Sequence, residues 1–235
     1  LLDKNFQVSG SAIFDGQDLL KETKEELRRL RGSRITMVLQ NPMSCFDPLY
    51  RIGEQMAETL QEHTALKGRP LQKRMEDILR LMRIHDPADV LRKYPHQLSG
   101  GMRQRVAIAR ALGIDAPTML LDEPFGALDP LIRGKLQELL LRLWNEGEGC
   151  CKTAVFVTHD IDEALYLGTR LVVFSSSPGR IIADEGNRIS RRYDRTALFR
   201  QPEIKALQQK IPAVYRSDML ERLAKRSEVR NGGGI

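Results

Sequence analysis

Two adjacent carboxylates follow an aliphatic stretch near the middle of the chain. The sequence TMLLDEP at residues 118–124 predicts a buried strand that ends in Asp122 and Glu123. One carboxylate at such a position can bind Mg²⁺, and the other can take a proton from an attacking water molecule. We therefore predict that Asp122 binds the metal ion and that Glu123 is the general base.

A glycine pair precedes a predicted helix that runs from residue 99 to residue 112. Gly100 and Gly101 carry no Cβ, so backbone N–H groups at the start of this helix can approach a phosphate closely. The helix N-terminus adds about half a positive charge, and Ser99 adds a hydroxyl donor. Taken alone, a Ser-Gly-Gly sequence is equally typical of an ordinary capped turn.

Two further polar residues stand at the ends of predicted strands. Gln40 ends the stretch RITMVL at 34–39, and His159 follows the stretch AVFVT at 154–158. Ligands of parallel sheets bind at the carboxyl ends of the strands, so both residues are predicted to face the same site. The other histidines, His63, His85 and His96, are interpreted as structural.

The elements that must position these residues alternate between strand and helix on both sides of a helical stretch. Apolar residues recur at helical spacing from about residue 52 to residue 94. Strand–helix alternation resumes from residue 99, which favours an α/β fold with a mostly parallel sheet.

These motifs, in this order and spacing, resemble those of ABC transporter nucleotide-binding subunits over residues 10–183. The resemblance implies a RecA-like P-loop NTPase core with a mostly parallel sheet and an inserted helical subdomain, incomplete at the N-terminus. It also implies that Ser99, Gly100, Gly101, Gln104 and Asp129 contact ATP, and that Gln40 lies at Mg²⁺ and water. The matching segments are Gln40 with the Q-loop, 98–104 with the signature, 120–123 with Walker B, 127–129 with the D-loop and His159 with the switch histidine.

The same resemblance predicts how the chain is divided. Residues 1–41 would form the core up to the Q-loop, and residues 42–98 the helical subdomain. Residues 99–186 would hold the signature helix and the rest of the core, and residues 187–235 a basic C-terminal tail. That tail has twelve Lys and Arg against five Asp and Glu, within a chain of net charge +6. A solvated helical end is the interpretation we favour for it.

The resemblance further implies the activity, the partners and the location. The chain would power solute import by hydrolysing ATP, paired head to tail with a second ATP-binding subunit of the same or another sequence. It would be cytoplasmic and peripheral on the inner face of the membrane, bound to transmembrane permease subunits and indirectly served by a solute-binding protein. No apolar run approaches the roughly 20 residues of a membrane-spanning helix. Nucleic acid is not expected as a partner.

One motif of such subunits is missing. No G-x-x-x-x-G-K-[ST] sequence occurs in the 235 residues, and in similar proteins it lies upstream of the segment that matches 10–16. The chain is therefore expected to be truncated before this loop and inactive alone. Two alternatives follow: a non-catalytic partner that lends its signature to an intact subunit, or a soluble ABC-type ATPase that acts on nucleic acid or ribosomes.

The solute is indicated inconsistently. Residues 35–49, which include Gln40 and Pro42, resemble nickel and oligopeptide importer ATPases, whereas residues 122–181 resemble nitrate, sulfonate and taurine importer ATPases.

The three cysteines, Cys45, Cys150 and Cys151, have neither metal-ligand spacing nor the pattern of a disulfide framework, and we interpret them as reduced thiols.

Overall fold

The structure is a computed structural model that describes residues 8–41, 45–146, 153–176, 178–189 and 194–231. The chain forms two compact units. The first unit comprises Leu1–Leu128 and Gly149–Val155, and the second comprises Asp129–Glu148 and Phe156–Ile235. Pro42, Cys150, Cys151 and the glycines 232–234 lie outside the described residues.

The first unit begins with a small hairpin and a capped helix. Strands β1 (Ile13–Phe14) and β2 (Gln17–Asp18) pair antiparallel, and helix α1 (Lys24–Leu30) follows. The sequence Thr-Lys-Glu-Glu at 23–26 has the form of a capping box, and the structure contains it: Thr23 accepts a hydrogen bond from the backbone of Glu26, whose carboxylate accepts one from Thr23 N.

The predicted helical stretch contains three helices: α2 (Ile52–His63), α3 (Gly68–Leu81) and α4 (Pro87–Arg92). Their apolar residues recur at i, i+3 and i+4, so each helix buries one stripe against its neighbours. Methionines belong to this core rather than to a surface, because Met56 and Met75 are buried. A 3₁₀ turn (Pro95–Gln97) leads into α5 (Gly100–Ile114).

The parallel sheet of the first unit sets the position of the candidate site. Strand β3 (Ile35–Val38) pairs parallel with β4 (Thr118–Asp122), and strand β5 (Thr153–Val157) lies on the other side of β4. One face of β3 and β4 is buried, and α5 packs against β3. On the other face Met37 and Val155 are exposed. The predicted α/β fold with a parallel sheet is therefore confirmed.

The second unit carries α6 (Pro130–Glu146), the end of β5, α7 (Ile161–Leu167) and the strands β6 (Arg170–Phe174) and β7 (Ile181–Gly186). Here the structure differs from a continuous parallel sheet. Strands β6 and β7 form a separate antiparallel hairpin with Asn187 just beyond it, and the Asn187 side chain donates to the Leu165 carbonyl at 2.7 Å. The short segment between the strands permits only a hairpin, since a parallel connection needs a dozen or more residues.

The C-terminal segment is not simply a solvated tail. It forms α8 (Arg195–Leu198) and α9 (Pro202–Asn231), and α9 packs against α7 and β7 within the second unit. Leu198 and Ile204 have no exposed surface, and the buried carboxylate of Asp218 pairs with Arg180, whose side chain is half-exposed. The sequence interpretation weighed the charge of this segment and overlooked its apolar stripe, which is what attaches it.

No helix in the described part of the chain is long and apolar enough to cross a membrane. The four-part division of the chain stays a prediction. The two compact units have different boundaries.

Candidate functional site

Gln40 and Glu123 meet at the carboxyl end of the parallel sheet. The two strands are in register from Ile35 opposite Thr118 to Val38 opposite Leu121, so the residues that follow them emerge side by side. The Gln40 amide Nε2 donates a hydrogen bond of 3.0 Å to Glu123 Oε2, although the two residues are 83 positions apart. The first unit thus brings a polar amide and a carboxylate together at the edge where parallel sheets bind ligands.

The backbone at Glu123 is in the left-handed region, with φ of 44°. A residue that is not glycine rarely adopts this conformation, and the following Pro124 favours extended backbone at Glu123 instead. Strain of about 1–3 kcal/mol is typical of such positions and is found most often at functional sites. Two turns follow directly, because Gly126 N donates to Glu123 O at 3.2 Å and Leu128 N donates to Phe125 O at 3.1 Å.

The glycine pair lies at the N-terminus of α5, as the sequence predicts. Ser99 is the N-cap, and its Oγ accepts a hydrogen bond of 3.3 Å from Met102 N. This bond uses a lone pair, so the hydroxyl proton can still be donated to a phosphate oxygen. Ser99 is exposed, and the first turn of α5 is half-exposed. The helix N-terminus is therefore open to a ligand from outside the unit.

Gln104, predicted as a nucleotide contact, has a different environment. Its side chain has 0% exposed surface, and its Nε2 donates a buried hydrogen bond of 2.7 Å to the Pro124 carbonyl. It offers no surface to a nucleotide in this structure. The sequence gives no sign of this partner, because the bond joins a helix and a turn that are 20 positions apart.

Asp129 and His159 belong to the second unit. The carboxylate of Asp129 caps α6 by accepting a hydrogen bond of 3.0 Å from Ile132 N. His159 is exposed two residues beyond β5, and the next residue, Asp160, caps α7 through Glu163 N at 3.1 Å. Both roles in nucleotide contact stay predictions.

The first unit also holds a cavity of about 430 Å³ beside β3, between α1, α2 and α5. Its charged lining residues are three arginines, Arg28, Arg31 and Arg110, and one carboxylate, Glu62. The Arg110 guanidinium lies 5.0 Å from the centre of the Phe46 ring, and burial lowers the pKa of this arginine. The sequence analysis missed this cavity, because its lining residues are far apart in the chain.

The chain is similar to known proteins in sequence and in structure. The sequence profile of the family described as ABC transporter matches residues 1–126. A probable peptide ABC transporter ATP-binding protein of Sinorhizobium fredii is 39% identical over 177 residues, which are 74% of this chain and 51% of that protein. An aliphatic sulfonates import ATP-binding protein of Bacillus anthracis is 37% identical over 209 residues, or 88% of this chain and 74% of that protein.

A solved structure is similar as well. The ATP-binding cassette MJ0796, a dimer in a post-hydrolysis state bound to ADP and Pi, matches with a TM-score of 0.67 and 32% identity. The match covers 77% of this chain and 74% of that one. The chain spans about half the length of the peptide-transporter relative.

Proposed function

Because the chain belongs to the ABC transporter ATPase family, we propose that it is the ATP-binding and ATP-hydrolysing part of an importer subunit. The observation that carries this proposal is the hydrogen bond between Gln40 and Glu123 at the carboxyl ends of two parallel strands. The amide holds the carboxylate in one orientation, which suits a general base because the base must face a single attacking water molecule. The relative from Bacillus anthracis is named as a sulfonate import ATP-binding protein, which supports the direction of transport.

In the proposed mechanism Glu123 takes a proton from the attacking water molecule while Gln40 orients both the water and the carboxylate. His159 contacts the γ-phosphate from the end of β5. Ser99, Gly100 and Gly101 face the nucleotide of a second subunit and stabilise negative charge through the helix N-terminus and the Ser99 hydroxyl. Most of the catalytic effect is positioning and charge stabilisation, so each residue matters through its geometry.

The donor set fits Mg²⁺. Asp122 ends β4 half-exposed beside Glu123, and the Gln40 amide supplies a second hard oxygen. Within the described residues no group of three or more His, Cys, Asp or Glu could hold a metal ion. A single carboxylate is nevertheless typical for Mg²⁺, which takes its other ligands from phosphates and water. When bound there, Mg²⁺ would supply charge neutralisation at the phosphates.

The partners proposed are a second ATP-binding subunit and a membrane permease, which place the chain on the inner face of the membrane. The solved MJ0796 dimer supports the first partner. For the permease we propose the arginine-lined cavity beside β3. A cytoplasmic segment of the permease with an acidic side chain would match the charge of Arg28, Arg31 and Arg110. A permease segment in this cavity would contact β3, the strand that leads to Gln40.

Glu123→Gln in the assembled transporter tests the proposal. This variant keeps the size and polarity of the side chain but cannot take a proton. Turnover should fall by about 10²–10⁴-fold while ATP binding is retained. Glu76→Gln is the matched control, because Glu76 is also a carboxylate held by a side-chain amide, with Gln72 Nε2 at 2.9 Å, but on α3. Near-normal turnover of Glu123→Gln would show that Glu123 is not the base.

A further inference from the structure

The hydrogen bond from Gln104 to the Pro124 carbonyl crosses a buried part of the first unit. Gln104 Nε2 lies 2.7 Å from Pro124 O, and Gln104 Oε1 has no hydrogen-bond partner among the described residues. A buried acceptor without a partner costs free energy. An amide side chain at this position is therefore worse for stability than a fully satisfied or fully apolar one, which points to a role for its donor group.

The peptide that receives this bond is the one directly after the strained residue. Glu123 has φ of 44° although Pro124 follows it, and such a conformation persists only when its surroundings fix it. Pro124 has no N–H group, so its carbonyl is the one polar backbone group by which this residue can be held. Gln104 supplies the donor.

The first turn of α5 also lies near the end of the segment 123–128. The space where a Gly101 Cβ would lie is 3.5 Å from Leu128 Cδ2 and 3.6 Å from Ala127 O. The start of α5 is therefore bonded to the segment 123–128 through Gln104, and at Gly101 the two lie about one methyl group apart. A displacement of the helix start would be transmitted to the backbone of Glu123.

We infer that Gln104 is a positioning residue for the general base. It fixes Pro124 so that the Glu123 carboxylate keeps its place beside Gln40. It also links the two functional faces of the chain, because α5 presents Ser99 and the glycines to the nucleotide of the second subunit. The engagement of that nucleotide is thereby coupled to the base of the chain's own site. This inference rests on the proposed role of Glu123.

Amide hydrogen exchange on the chain tests the structural link without any need for turnover. Gln104→Met keeps the volume of the side chain and removes the donor. It should lower the protection of Gly126 N–H and Leu128 N–H, which close the turns after Glu123, and leave the amides within β4 protected. Gln104→Leu is the second variant if the methionine variant does not fold. Unchanged protection at Gly126 and Leu128 would overturn the inference.

A matched control comes from another buried glutamine of the same unit. Gln55 donates at 2.9 Å to the carbonyls of Asp47 and Tyr50, so it also holds a turn through its amide. Gln55→Met should loosen the backbone at 47–50 and leave Gly126 and Leu128 unchanged. Equal loss of protection at Gly126 in both variants would show general destabilisation and would also overturn the inference.

The functional consequence is measured in the assembled transporter. A misplaced base lowers the catalytic step without removing a nucleotide contact, so kcat of Gln104→Met should fall by about tenfold to a hundredfold with an unchanged dissociation constant for ATP. An unchanged kcat, or a loss confined to ATP affinity, would contradict the positioning role. Glu123→Gln run in parallel separates the two ideas, since normal turnover there refutes the base itself.

Discussion

The replacement of Gly101 by alanine tests whether this glycine is required for the packing of the chain or for the approach of the nucleotide. The added Cβ would lie 3.5 Å from Leu128 Cδ2 and 3.6 Å from Ala127 O, both ordinary van der Waals distances. The first unit can therefore hold the methyl group without moving. Gly101 is the second residue of α5, and alanine is favoured over glycine in helices by up to about 0.5–1 kcal/mol. We expect the free energy of unfolding to stay the same or rise by up to that amount.

ATPase activity should respond in the opposite direction. If a phosphate of the second subunit's nucleotide meets the start of α5, the methyl group stands between them and holds the phosphate away from the backbone N–H groups. A displacement of about 1 Å at a reacting centre can lower the rate on the order of a hundredfold. The predicted result for Gly101→Ala is thus a normal or raised stability together with a large loss of turnover.

The assays are urea unfolding of the chain and steady-state ATPase activity of the assembled transporter. Gly134→Ala is the control, because Gly134 is also inside a helix and a Cβ there would meet nothing within 4 Å. It should gain stability and keep its activity. Full activity of Gly101→Ala would refute the approach of a phosphate to this glycine. A loss of stability above about 1 kcal/mol would refute the packing argument instead.

Two further predictions concern the permease and the C-terminal segment. Arg110→Gln removes a charge from the cavity beside β3 and should weaken co-purification with the permease. Arg74→Gln, on the exposed face of α3, should leave co-purification unchanged. Equal retention of the permease by both variants would contradict the docking proposal. Leu198→Ala should lower the stability of the second unit by about 2–5 kcal/mol, because Leu198 has 0% exposed surface. Leu220→Ala, at a site that is 66% exposed, should change stability by less than about 0.5 kcal/mol in a thermal melt. Equal melting temperatures of the two variants would contradict the docking of α8.

Local features of the fold could be predicted from sequence with good accuracy. Thr-x-x-Glu at 23–26, Asp-Pro at 86–87 and Ser99 before two glycines are each typical of a helix start, and Thr23, Asp86 and Ser99 each cap a helix. Strand β4 ends at Asp122, as the change from aliphatic to acidic residues indicates. These features depend on hydrogen bonds that span three or four residues and on side-chain periodicity. Both are properties of a short segment.

The candidate site was predicted in its residue types and only partly in its contacts. Sequence order places Gln40 and Glu123 at strand ends, and the parallel register of β3 and β4 turns that into a hydrogen bond. The choice of Gln104 as a nucleotide contact came from its motif, whereas packing buries it against Pro124. A sequence motif shows which residue types occur together, but it does not show which face of the helix is buried.

The residue types of the candidate site and the order of the motifs can be predicted from the sequence: a strand that ends in two carboxylates, and a helix that starts with serine and two glycines. The left-handed backbone at Glu123, the hydrogen bond to the Pro124 carbonyl and the burial of Leu198 become visible only in the folded chain. The physical reason is the range of the interactions. Hydrogen bonds and apolar contacts between distant segments form only when packing brings those segments together, and no local pattern specifies that packing.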